Sequence, residues 1–339
     1  MYPHVSIIIL NWNGWKDTVE CLESLYQIDY PNYQVILVDN NSSDNSVEKI
    51  KEYCEGKNEV KSDFFQYNPN SKPIKIIEYS EKESESANIP SINDDKLNHN
   101  LIIIKNNKNY GFAQGNNVGI KYAMNSIYTD YVLLLNNDTV VDKDFLKELV
   151  KTAESQTDIG FVGAKTYLYN DKNRIQAGGG GNVDFKHGVV HEIAFHKIDD
   201  GKYDKNLELD YISGACLLCK KEVINKVGSL DSSYFMYWED VNWCFTGKKY
   251  GYKSIYSYKS KIWHKYGSSS PNYFKIYYLN RNRLYFIKEH GKLSQKGSFF
   301  IYFFLFRFWV ESFDYLIYRR DMEKFKSLIR GVSDGLIKH

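Results

Sequence analysis

Over the first 140 positions the apolar residues fall into short continuous runs separated by longer stretches with helical spacing. Val5-Ser-Ile-Ile-Ile-Leu10, Gln34-Val-Ile-Leu-Val38, Leu101-Ile-Ile-Ile104 and the run from Tyr131 to Asp138 are rich in β-branched and leucine side chains and bounded by polar ones. Runs of this length predict buried strands. Between them, periodic spacing predicts helices over Trp15–Tyr26, Ser46 to about Cys54, about Ala113–Ser126 and Lys143–Ser155. The second of these is introduced by Ser42-Ser-Asp44-Asn-Ser46, whose short side chains suit an N-cap. Strand and helix alternate, which predicts an α/β fold with a mostly parallel sheet covered by helices on both faces. From about 55 to 100 the pattern decays into Lys, Glu, Ser, Asn and Pro, with only Ile74-Lys-Ile-Ile77 hinting at a strand. That stretch reads as an insertion, mobile in part, with little catalytic content.

After about residue 155 the strands shorten, and glycine turns such as Gly178-Gly-Gly-Gly181 and many tyrosines appear. This mixed half is expected to build the other wall of a cleft. The segment from about 271 to 339 reads as helical, aromatic and basic in patches, giving a division into 1–270 and 271–339.

In open α/β sheets, ligands bind beyond the carboxyl ends of the strands. Three predicted strand ends carry polar side chains there: Asn11 and Asn13; Asp39, Asn40 and Asn41; and Asn136, Asn137 and Asp138. They could line one crevice, with Asp138 as a carboxylate able to hold a cation. The competing reading is that Asn and Asp only terminate strands and cap helices. The segment Asn109-Tyr-Gly-Phe-Ala-Gln-Gly-Asn116 places Gly111 and Gly115 where a loop becomes a helix, so backbone amides could approach an anion. Gly119 equally suits close helix packing. Farther on, Glu239 and Asp240 sit together within Tyr234-Phe-Met-Tyr-Trp238-Glu-Asp-Val-Asn-Trp243. Paired carboxylates among aromatics suit a general base on a sugar-stacking surface, or simply an acidic helix start. His264, beside Trp263, is compatible with a structural imidazole or a ligand.

Composition narrows the classes. With 44 basic against 42 acidic residues the net charge is +2, so no overall field points to nucleic acid. Five scattered cysteines suit a reducing compartment, and Cys216-Leu-Leu-Cys219 lacks the second pair of a zinc site. No basic leader precedes the first strand, and Phe299–Phe306 is cut by Arg307, short of the roughly 18 to 20 residues that span a bilayer. The expectation is a cytoplasmic protein. A dinucleotide oxidoreductase would need a Gly-rich turn after the first strand, where Leu10-Asn-Trp-Asn-Gly14 offers one glycine.

Taken in order, Val5–Gly14, Val38-Asp-Asn-Asn-Ser-Ser-Asp44, Asn109–Ile120, Leu135-Asn-Asn-Asp-Thr139, Ser213-Gly-Ala-Cys-Leu-Leu218, Phe235–Asp240 and Trp263-His264 resemble the family 2 glycosyltransferases of the GT-A fold, in particular the rhamnosyltransferase-like branch. The resemblance covers about residues 4 to 290. It implies an inverting, metal-dependent transfer of a sugar, with rhamnose from its dTDP derivative as one candidate, from a nucleotide-sugar donor to a cell-surface glycan or lipid-linked acceptor. Asp39 then stands where the family reads the nucleotide, with Asn11, Asn13 and Asn41 beside it and Asn109, Gly111, Gly115, Asn116, Asn136 and Asn137 on the donor side. Asn136-Asn137-Asp138 takes the place of the D-x-D motif, so that Asp138, with His264 and Asn136, would hold Mg2+ or Mn2+. Asp240 takes the place of the base, and Ser213, Gly214, Ala215, Trp238 and Glu239 the acceptor side. The chain departs from the family at Asn136, at Asn242 and at Thr246-Gly247, where an acid, a second acid and an arginine are common. The two Asn positions motivate the alternative of a non-catalytic scaffold. A nucleotidyltransferase should carry a Gly- and Lys/Arg-rich loop after the first strand, absent here. The aromatic and basic C-terminal stretch suits either an interfacial helix at the inner face of a membrane or an aromatic core or dimer helix. Nothing in the pattern speaks to oligomeric state.

Overall fold

The computed structural model describes residues 2–86, 100–265 and 272–337. The chain opens with β1 (Val5–Asn11), α1 (Trp15–Leu25), β2 (Tyr33–Asp39) and α2 (Ser46–Cys54). There follow β3 (Ile76–Ser80), α3 (Glu81–Glu85), β4 (Leu101–Lys105), α4 (Gly111–Ser126), β5 (Tyr131–Asn136), β6 (Thr139–Val141) and α5 (Phe145–Ala153). The second half contributes β7 (Ile159–Leu168), β8 (Asp171–Ala177), β9 (Gly180–Asp184), β10 (Val189–Glu192), β11 (Leu207–Leu209), β12 (Tyr211–Ile212), β13 (Cys216–Lys220), α6 (Lys221–Val227), α7 (Glu239–Lys249) and β14 (Lys253–His264). The C-terminal segment is helical: α8 (Asn272–His290), α9 (Leu293–Tyr302), α10 (Phe308–Phe313) and α11 (Met322–Ile337).

Among the described residues, eleven strands form one sheet along the path β11-β14-β7-β13-β5-β1-β2-β4-β3, with β6 and β8 attached beside it. The five strands β5, β1, β2, β4 and β3 run parallel, whereas β13 runs antiparallel to both β5 and β7. Continuous apolar runs are buried on both faces, as a parallel sheet requires. In β1, Ile8 faces the core shared with α4, while Ile7 and Ile9 face the core shared with α1 and α5. A Cβ on Gly119 would lie 2.7 Å from the Ile8 side chain, so the packing reading of that glycine holds. Cys216 and Cys219 are free, buried and on opposite faces of β13, which leaves no zinc half-site.

Two expectations change. The strand expected to run to Asp138 ends at Asn136, because the chain turns at Asn137-Asp138 before β6 pairs with β14. The insertion is not featureless: residues 55–86 fold back onto the domain, and Ile76–Ser80 adds an edge strand to β4. They are anchored by Lys72, whose Nζ lies 2.8 Å from Glu23 and 3.0 Å from Tyr53 Oη, with Glu23 fully buried. The rest of the insertion, 87–99, and the boundary expected near 270 lie outside the described residues.

Candidate active site

Sheet register collects the polar strand ends. Asn11 pairs with Asp39 across β1 and β2, and Leu10 with Asn136 across β1 and β5, so the three clusters share one edge of the sheet. Asp39 is 4% exposed and accepts from Asn11 Nδ2 at 2.8 Å, Ser42 Oγ at 2.6 Å and Ser42 N at 3.0 Å. Asn11, expected to line a pocket, is instead fully buried: its amide donates to Asp39 and its oxygen accepts from Thr18 Oγ1. It orients the carboxylate from beneath. Asn13 and Asn41 are exposed, both with positive φ (54° and 61°), and Asn13 Oδ1 accepts from Ser43 N at 2.8 Å. Backbone held in this sparsely populated region is a form of strain that clusters at binding sites.

Asn40, two residues before Ser42, is the side chain that ties the loops after β2 and β4 together. It is 2% exposed, donates to Asn109 Oδ1 and the Gly111 carbonyl, and accepts from Asn106 Nδ2 and Tyr110 N. The glycine-marked start of α4 is not an open anion site. Phe112 N and Ala113 N both donate to the Phe235 carbonyl, at 2.6 and 3.1 Å. Gly111 takes φ +74°, where a Cβ would lie 2.5 Å from that same oxygen, and a Cβ on Gly115 would strike Leu10. These glycines serve close approach. Asn116 is buried and donates to the Phe112 carbonyl within α4.

Beyond β5, Asn137 Nδ2 donates to Thr18 Oγ1, fixing the turn. Asp138 Oδ1 lies 3.0 Å from His264 Nε2, is buried, and has no directed hydrogen-bond partner. β14 delivers that imidazole by pairing His264 with Thr139. Gln176 Oε1, 3.0 Å from His264 Nδ1, can accept its proton and leave the Nε2 lone pair toward Asp138; Asn136 Nδ2 is 3.4 Å from Nε2. One orphaned carboxylate oxygen and one oriented imidazole fit part of a divalent cation's donor set. No group of three or more His, Cys, Asp or Glu gathers among the described residues, so the remaining ligands would have to come from elsewhere.

The acid pair opens α7. Asp240 accepts from Gly214 N and Val241 N, each at 2.8 Å, while Asn136 N donates to the Ala215 carbonyl. Ser213 Oγ accepts from Ala215 N. The stretch 213–215 therefore joins the acid pair to the end of β5. Glu239 is buried and its Oε2 has no partner. Burial, then the adjacent Asp240 charge, pushes the Glu239 pKa well up, and burial raises that of Asp240. Before α7, Phe235, Tyr237 and Trp238 all have positive φ without a glycine among them. Asn282 of α8 reaches the carbonyls of Tyr234, Met236 and Tyr237 at 2.9, 2.8 and 2.7 Å, and Arg281 reaches those of Ser233 and Tyr234. Phe235 stacks on Tyr278 with ring centroids 4.9 Å apart. At Asn242, where the resemblance expects an acid, the side-chain oxygen meets His290 Nε2 at 2.6 Å.

Glu192 had no signal in the sequence. Burial raises its pKa to about 7, with Asp240 raising it further and His264 and Lys275 opposing. Its short strand, paired to the glycine-rich β9, carries no motif that could have singled it out.

This sheet, with the buried Asp39 carboxylate at one strand end, an acid–imidazole pair after a central strand and a buried acid pair at the start of α7, has the architecture of a GT-A fold. Comparison with solved structures agrees. The fold is similar to the mannosyltransferase PcManGT of Pyrobaculum calidifontis, solved with GDP-Man and Mn2+ (TM-score 0.55, 12% identity, covering 100% of this chain and 76% of that one). It is also similar to TarS of S. aureus, residues 1–349 (TM-score 0.54, 12% identity, 98% and 81% covered). The model of the glycosyltransferase like family 2 matches residues 3–286, and the chain belongs to that family. Curated relatives include the low-salt glycan biosynthesis hexosyltransferase Agl10 of Haloferax volcanii, 25% identical over 141 residues (42% of this chain, 44% of that protein). Another is the rhamnosyltransferase WbbL of Escherichia coli, 25% identical over 143 residues (40% and 53%). The chain thus spans about half the length of these relatives.

Proposed function

We propose that the chain transfers a sugar from a nucleotide-sugar donor to an acceptor hydroxyl, with inversion at the anomeric carbon. The observation that carries this reading is the Asp240 carboxylate, held by Gly214 N and Val241 N and joined through 213–215 to the end of β5, beyond which Asp138 meets His264. Asp39, oriented by Asn11 and Ser42, binds the nucleoside. Asp138 and His264 would hold Mg2+ or Mn2+, which supplies charge neutralisation at a leaving diphosphate. Among the described residues only these two such side chains meet there, so the donor's own phosphate oxygens would have to supply the remaining ligands. Asp240 takes the proton of the attacking hydroxyl, and one base with direct displacement inverts the centre. Rhamnose from its dTDP derivative and a glycan or lipid-linked acceptor are the finer parts of the proposal, supported by the relation to a rhamnosyltransferase.

The test is a thermal-shift screen of dTDP-, UDP- and GDP-sugars with and without Mn2+, followed by donor turnover with Asp240→Asn. The expected result is a donor-dependent shift kept by the variant and turnover lost by it. Full turnover by Asp240→Asn would overturn the base assignment; no shift and no turnover with any sugar nucleotide would favour a non-catalytic scaffold.

A further inference from the structure

Between Ile301 and Tyr318 every exposed residue is large and apolar. Five of them, Ile301, Leu305, Trp309, Phe313 and Ile317, recur at every fourth position and are each about 60% exposed. The polar residues of the same span turn the other way: Ser312 is 6% exposed, and Arg307 pairs with Glu311 at 2.7 Å with both side chains largely covered. An ordinary surface helix has the opposite arrangement.

Helical phase makes these five residues a ridge. In a regular α-helix a four-residue repeat drifts by about 40° per step, which would carry Ile317 to nearly the opposite side from Ile301. Here the α-helical stretches alternate with two π-helical segments, Phe303–Arg307 and Asp314–Tyr318. Their wider turns, roughly 4.4 residues each, bring the average close to four, so the ridge runs straight.

Charge decides what covers it. Lys292 stands exposed at the α9 end, Arg320 at the other, and Arg330 on α11; none of the three has an ion pair among the described residues. A two-fold pairing of this ridge with a second copy would set basic ends against basic ends. An anionic lipid surface meets the same ends with opposite charge and takes up the aromatic ridge. Among the described residues no helix is long and apolar enough to cross a membrane, so the element lies in the interface plane.

We propose that the 301–320 ridge docks the protein on a membrane surface containing anionic lipid, independently of whether the cleft transfers a sugar. The same C-terminal array holds the loop before Asp240 through Arg281 and Asn282, so one helical unit serves both site and surface.

The experiment is vesicle flotation of the full chain with phosphatidylcholine alone and with about a third phosphatidylglycerol, at low and high salt. Flotation with the anionic vesicles is expected, reduced at least tenfold by Trp309→Ser/Phe313→Ser, and reduced and made less salt-sensitive by Arg320→Glu/Arg330→Glu. Circular dichroism and melting should stay unchanged. No flotation on either vesicle, or undiminished flotation of the Trp309/Phe313 variant, overturns the proposal. So does a dimer in solution that the Trp309/Phe313 variant dissociates without any vesicle binding.

Discussion

Asn282→Ala gives a sharp test of how the acid pair is positioned. Three non-glycine residues at positive φ within four positions, Phe235, Tyr237 and Trp238, cost about 1 to 3 kcal/mol each. One amide group, fully buried on α8, reaches three carbonyls of that loop. Its two N–H groups are shared among the three carbonyls, so at about 0.5 to 1.5 kcal/mol per hydrogen bond they offset part of the strain, with Arg281 and the Phe235–Tyr278 stack supplying more. Removing the amide should cost about 2 to 3 kcal/mol, which for a chain of this length is roughly 3 to 4 °C in melting temperature. The loss falls on the loop, because its native backbone is the strained one. The Phe235 carbonyl would then leave the α4 amides and Asp240 would lose its fixed approach to Gly214. Donor turnover should fall tenfold or more while the donor-induced thermal shift persists. Asn282→Asp should be worse, since a carboxylate would then face three carbonyls. Wild-type melting and turnover in Asn282→Asp would refute the reasoning, whatever the alanine variant does.

Asp138→Ala and His264→Ala should each remove the Mn2+-dependent part of donor binding, and chelation should reduce the unsubstituted protein to the same level; titration calorimetry with and without EDTA reads both. Glu192 has a pKa raised from 4.5 to about 7, so the folded state keeps a proton that the unfolded chain has lost. Stability should therefore fall as pH rises from about 4.5 to about 7, by up to roughly 3 kcal/mol, and Glu192→Gln should flatten denaturation midpoints across that window. Lys72→Met should cost about 3 to 5 kcal/mol, because it leaves Glu23 buried without its cation. Glu23 has a depressed pKa in the fold, chiefly from hydrogen bonds to Lys72, Asn68 N and Tyr53 that outweigh desolvation, so the stability it contributes is present above pH 4.5 and is lost in acid.

The parallel half of the sheet was legible because its strands are buried on both faces, and burial on both faces leaves unbroken apolar runs in the sequence. β3 was nearly invisible for the converse reason: as an edge strand every residue in it is only partly buried, so polar Glu78 and Ser80 sit among Ile76, Ile77 and Tyr79. Asp39, Asp138, Asp240 and His264 could be picked out by residue type and position. The contacts that hold them could not, although Asn11 and Asn40 stand out as polar strand ends. Asn40 bonds to residues 66 and more positions away, and Asn282 to a loop some 45 positions earlier, with no local periodicity to mark either. The glycine motif at the head of α4 misled in a specific way. Its residues fit an anion site locally, but the acceptor that fills it is a carbonyl from residue 235, placed there by tertiary structure.

That carbonyl links the two sides of the cleft. Phe235 O caps α4, whose Gly111 carbonyl accepts from Asn40 beside the nucleotide-side loop. The same loop runs through Trp238 into Asp240, which Gly214 N connects to the end of β5. A change at residue 235 would therefore reach the Asn40 loop through α4 and Asp240 through α7. Because the loop's backbone is strained, it has few alternative conformations that keep both connections. Asn282 and Arg281 hold it from the C-terminal helix. In this chain the positioning of Asp240 depends on a segment that a reading of the parallel-sheet half alone would leave out.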